Sequence, residues 1–162
     1  MNKYHTLPAN PENITAGTVI SRLLASIGFR YYWATDDLPE TVAAFQPENE
    51  ARSIAENMAH IWDILQWVHA AIHPETVAKP EGLHPLRTGT LALIETLEHS
   101  FSTMDVQTLA EIKLLKQPFW PLINGPLSDV LPHIGQIAML RRIAGFPVSN
   151  SDPFQGTPPP GK

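Results

Sequence analysis

His60, Asp129 and His133 are the side chains of this sequence best suited to hold a divalent ion. Asp129 and His133 lie four apart in "SDVLPHIGQIAMLRRIAGFP" (residues 128–147), a spacing that puts both on one face of a helix. Two imidazoles and one carboxylate make a three-point site for Zn, Ni, Fe or Mn and leave positions open for water or substrate, as catalytic metal sites do. The same residues can instead share a charge-assisted hydrogen bond within the helix, extended to Gln136 or His60. Glu56, one turn before His60, is the candidate general base. Pro132 lacks the N–H that would bond the carbonyl of Ser128, so it predicts a kink or a loosened turn beside these residues.

Four helices must position them. Prolines punctuate the chain where helices begin (Pro11, Pro47, Pro85) and where they end (Pro74, Pro147). The first helix is expected from Pro11 or Thr15 to Trp33 and leads into the aromatic stretch "GFRYYWATDDLP". The second, from Pro47 to His73, has an apolar stripe of Ile54, Met58, Ile61, Leu65, Val68 and Ile72, the 4-3-4-3-4 spacing of a buried seam. The third spans about Pro85 to Met104, and residues 105–118 read as a short extra helix or an ordered loop. The fourth runs from near Phe119 to Ala144 and stops at Gly145 and Pro147.

The fourth helix carries a second seam of Leu122, Pro126, Asp129, His133, Gln136 and Leu140, where leucines bracket consecutive polar residues. That pattern marks a buried or cleft-lining polar site. His60 occupies a matching flank of the second helix. At 1.5 Å per residue, His60, Asp129 and His133 all lie near the middle of their helices, so the three can meet at one level.

Other polar and aromatic residues carry structural expectations. His69 and His73 share the four-residue spacing, but in the last turn before Pro74 they are expected to face water and offset the helix dipole. His5, His84 and His99 have no ligand partner at useful spacing. Trp62, Trp67 and Trp120 are expected in the core. Arg141 and Arg142 are expected to offset the dipole or pair with Asp36 and Asp37, with anion binding by Arg141 the minor alternative.

At 162 residues, with a formal charge of -5 and no cysteine, the chain fits one domain. Residues 1–148 form that domain, and the Pro- and Gly-rich residues 149–162 are expected to be a loose tail. The absence of any Lys/Arg cluster argues against nucleic acid as a partner. The absence of cysteine excludes disulfides and thiolate sites, so thiol chemistry would need a thiol from the substrate. No apolar run reaches the length of a membrane span, and the expected location is the cytoplasm. The expected fold is all-α, a four-helix bundle whose long connections imply at least one crossover.

The segment "PFWPLINGPLSDVLPHIGQIAMLRRIAGFPV", with "AHIWDIL" on the second helix and "GFRYYWATDDL" after the first, resembles the DinB/YfiT-like superfamily of bacterial four-helix proteins. The resemblance runs from the first helix to about Phe154. It implies a homodimeric crossover bundle with a divalent metal held by a histidine of the second helix and an H-x-x-x-H pair of the last. His60 matches the first ligand and His133 the third, while Asp129 stands where the middle histidine would be. Asp129 then binds the metal itself, alters affinity or metal choice, or marks a branch that kept the fold without the metal. The activity implied is transfer of a low-molecular-weight thiol or a hydrolytic reaction; the alternative is a non-catalytic, stress-related binding or structural bundle.

Overall fold

The computed structural model describes residues 2–48 and 50–162. After a 3-10 turn (Lys3–His5), the elements are α1 (Ala16–Ala34), α2 (Glu40–Ala43), α3 (Ile54–Ile72), α4 (Leu83–Ser102), α5 (Val106–Glu111), the strands β1 (Lys113–Leu114) and β2 (Gln117–Pro118), α6 (Trp120–Leu122) and α7 (Ser128–Ile143). The fold is all-α, with a two-residue antiparallel hairpin as its only sheet among the described residues. No helix among them is long and apolar enough to cross a membrane.

Local chemistry fixes where the long helices start. Thr15 caps α1 in a reciprocal box with Thr18, and Ser53 caps α3 in a box with Glu56. The second expected helix therefore begins at Ile54 rather than Pro47, because Ser53 satisfies the first free N–H groups. The fourth expected helix is interrupted. Residues 123–127, around Pro126, form a π-helical turn between α6 and α7, while Pro132 sits inside α7 without ending it.

Among the long helices, α1 packs on α4, α4 on α3, α3 on α7 and α7 back on α1. Ile27, Tyr31, Met58, Leu65, Ile94, Phe101, Val130 and Ile137 are among the side chains buried between them. Tyr4 closes one side, its ring lying where a Cβ on Gly28 would come within 2.6 Å and its hydroxyl donating to Glu98 at 2.7 Å.

The carbonyls at the end of α1 are satisfied by arginines from two other helices. Arg141 is 2% exposed, and its Nη1 donates to Ala34 O at 2.8 Å and Asp36 O at 2.9 Å. Arg87 donates to Tyr32 O at 3.2 Å and Thr35 Oγ1 at 3.0 Å. The sequence places Arg141 as a dipole partner; in the fold it is a buried tie between α7 and α1. That tie also sets the C-terminal ends of α1 and α7 side by side, so the two helices run parallel.

The stretch 149–162, expected to be loose, is docked. Leu7 N donates to Gly156 O at 2.9 Å, and the Lys162 ammonium reaches Asp36 at 2.7 Å and Asp37 at 2.6 Å. Asp152 closes its own turn by accepting from the backbone N–H groups of Phe154 and Gln155. The Lys162 partner holds the Asp37 carboxyl below its ordinary pKa.

Candidate metal centre

The three predicted ligands converge. The ligand atoms of His60, Asp129 and His133 all lie within 4.8 Å of one another, on facing sides of α3 and α7. His133 Nε2 is 3.5 Å from Asp129 Oδ2, His60 Nε2 is 4.0 Å from the same oxygen, and the two rings meet edge to face at 4.6 Å. His133 is buried, His60 half-buried, and Asp129 exposed at the mouth. The contacts of Asn57 with His133, and of Ile64 with Asp129 along one cavity, make α3 and α7 antiparallel.

Two amides orient the deepest ligand. Asn57 is buried, and its Nδ2 donates to the Ser53 carbonyl at 3.0 Å, which turns its Oδ1 toward His133. His133 Nδ1 lies 3.1 Å from Asn57 Oδ1 and 3.0 Å from Gln136 Oε1. Both neighbours are acceptors, so Nδ1 carries the hydrogen and donates it to them. The lone pair of His133 is then on Nε2, aimed at Asp129 and His60. Fixing the tautomer through the far ring nitrogen is how second-sphere amides and carboxylates prepare metal-binding histidines.

The donor set fits a cation. In the neutral Nδ1–H tautomer His133 Nε2 is an acceptor, as is Asp129 Oδ2 3.5 Å away, and His60 adds a third nitrogen nearby. Burial, followed by the positive charge of Arg52 and then His133, pushes the His60 pKa down, which favours the neutral ring that can act as a ligand. An ion held between them would satisfy the facing lone pairs.

Glu56 is engaged at the start of α3. Its Oε2 accepts from Ser53 N at 2.7 Å, and that bond holds its carboxyl below the ordinary range. It is a cap, placed by the same Ser53 that orients Asn57. Trp67 and Trp120, expected in the core, are 62% and 68% exposed. Trp67 lines a cavity of about 320 Å³ that opens against Asp129, with Ile64, Asn124, Pro126 and Pro132 completing its wall. The π-helical turn shapes this cavity by carrying Asn124, Gly125 and Pro126 to its rim.

The rival pair behaves differently from expectation. His69 is 5% exposed, its Nδ1 has no hydrogen-bond partner, and burial pushes its pKa down. His73 bonds Ser100 Oγ at 2.9 Å and stacks on His69 at 4.5 Å. His69 is buried, so the last-turn position did not leave it in water.

Sequence reasoning missed Asn57. The available signal was its place four residues after the capping Ser53, since a buried amide there can reach back to the cap carbonyl. No family model matches the chain, and no curated protein or solved structure matches it.

Proposed function

We propose that this chain is a divalent-metal-dependent enzyme with a DinB-like crossover bundle, and that His60, Asp129 and His133 hold its metal. The observation that carries the reading is the lone pair of His133 Nε2, fixed by Asn57 and facing the Asp129 carboxylate. The crossover is supported by the packing order of the long helices, in which chain-consecutive α1 and α3, and again α4 and α7, sit across the bundle rather than side by side.

A bound divalent ion would lower the pKa of a water or a thiol cosubstrate and so supply a nucleophile near neutral pH. The protein's residues do the rest. Asn57 and Gln136 hold the His133 ring in one tautomer and orientation. Asp129 contributes the negative charge that a site of two neutral imidazoles lacks. The cavity formed by Ile64, Trp67, Pro126 and Pro132 offers an apolar surface to the substrate beside that carboxylate. We propose a low-molecular-weight thiol as cosubstrate, because the chain has no cysteine of its own.

The test supplies zinc or nickel to the purified chain with cysteine as thiol and a neutral aromatic halide as electrophile. The expected result is thiol consumption that chelator abolishes and that His133→Ala lacks. Zinc binding without any metal-dependent rate would leave the alternative, a bundle whose polar cluster fixes helix register.

A further inference from the structure

We propose a second binding site, on the opposite side of α7 from the metal centre, that takes an amphipathic organic anion. A cavity of about 600 Å³ lies between α1, α7 and the docked stretch 148–151, within the size range of small-molecule sites. Leu23, Ser26 and Arg30 line it from α1; Leu131, Gly135, Ala138 and Arg142 line it from α7.

The cavity has a charged end and an apolar end. Because α1 and α7 run parallel, Arg30 and Arg142 lie toward the same C-terminal end, joined by Arg141 to Ala34. Leu23 and Leu131 lie toward the other, about 10 Å back along α1 and about 16 Å back along α7. An anionic head with an apolar body matches that polarity, and guanidinium groups bind carboxylates by paired hydrogen bonds.

The arginines are free to do this. Arg22 donates to Pro8 O, Arg87 to Thr35 and Tyr32, and Arg141 to Ala34, Asp36 and Phe146. Among the described residues the guanidinium groups of Arg30 and Arg142, both exposed, make no hydrogen bond or ion pair, in a chain with sixteen acidic residues and eleven basic ones. Two guanidinium groups at one end of one cavity, with no carboxylate paired to them among the described residues, can offer an anion charge-assisted hydrogen bonds.

Gly135 leaves the α7 wall of the cavity without a side chain. Mid-helix glycine costs about 1 kcal/mol relative to alanine. A Cβ on Gly135 would meet nothing within 4 Å, so no close backbone approach requires the glycine. Gly135 is exposed on the cavity lining, so a side chain there would project over the cavity and the solvent beside it.

The test titrates the full chain, with chelator present so that His60, Asp129 and His133 cannot take the ligand through a metal, with decanoate and with neutral decanamide by calorimetry. One decanoate per chain is expected, with decanamide bound about tenfold more weakly or worse. Arg30→Gln with Arg142→Gln should remove that preference, whereas the charge-matched pair Lys113→Gln with Lys116→Gln should keep it. Gly135→Leu, which adds a better helix former while filling the space, should abolish binding with the fold intact by circular dichroism. No decanoate binding, equal binding of decanamide, or a double arginine variant that still prefers decanoate would each overturn the proposal.

Discussion

Asn57 holds His133 from across the interface between α3 and α7: its Nδ2 is tied to the Ser53 carbonyl at 3.0 Å, and its Oδ1 meets His133 Nδ1 at 3.1 Å. Asn57→Ala is therefore expected to weaken zinc binding by about 10–100-fold, the usual effect of losing a second-sphere partner. It should also destabilise the fold by about 1–3 kcal/mol, since the buried hydrogen bonds of Asn57 to His133 and to the Ser53 carbonyl are lost together, although Gln136 still accepts from His133. Asn57→Asp keeps the acceptor and should keep most of the affinity. Competition against a fluorescent zinc chelator measures the first effect, and urea unfolding the second.

Protons compete with the metal at both histidines, so zinc affinity should fall as pH falls. Stability of the metal-free protein should fall as well. His60 and His69 both have folded-state pKa values below the ordinary one, so the unfolded chain takes up protons first. Their contribution is fully present above about pH 6.5 and is lost as pH drops from there through the lowered native values. Urea midpoints in chelator should be lower at pH 5 than at pH 7.5, with His69→Leu reducing the difference; equal midpoints would contradict the assignment.

Arg141→Met removes the buried donor that serves Ala34, Asp36 and Phe146 carbonyls. A loss of about 3 kcal/mol is expected, the upper end for hydrogen bonds to a charged group, because several carbonyls lose one partner together. Arg142→Met, whose guanidinium touches none of these, should leave the melting temperature nearly unchanged. The contrast between adjacent arginines is read by calorimetry.

Glu56→Ala should lower the melting temperature through the lost bond to Ser53 N while leaving zinc affinity within about twofold. Trp67→Ala should change stability by less than about 0.5 kcal/mol, as expected for a side chain that is 62% exposed. A large loss of stability in Trp67→Ala would show the indole to be packed after all.

The all-α class and the site were legible because both rest on helical periodicity. The spacing of Asp129 and His133, and the mid-helix height of His60, bring their ligand atoms within 4.8 Å. What escaped depends on contacts between distant segments. "SIAE" at 53–56 carries the cap signature, yet Pro47 competed with it as a start signal, and reading the cap first would have moved Glu56 from base to structure. Trp67 and Trp120 are apolar enough to suggest core, but no local pattern shows that their indoles stay largely exposed. The docked tail is held by Lys162 against Asp36 and Asp37, a pairing across more than a hundred residues that composition cannot show.

The central claim is that His60, Asp129 and His133 form a metal site, and elemental analysis of protein purified without chelator tests it most directly. Close to one divalent ion per chain is expected in the wild type, and none in His133→Ala or His60→Ala while both remain folded. A wild-type protein that carries no metal and whose melting temperature does not rise with added zinc or nickel, although any ligand of the native state must raise it, would contradict the account.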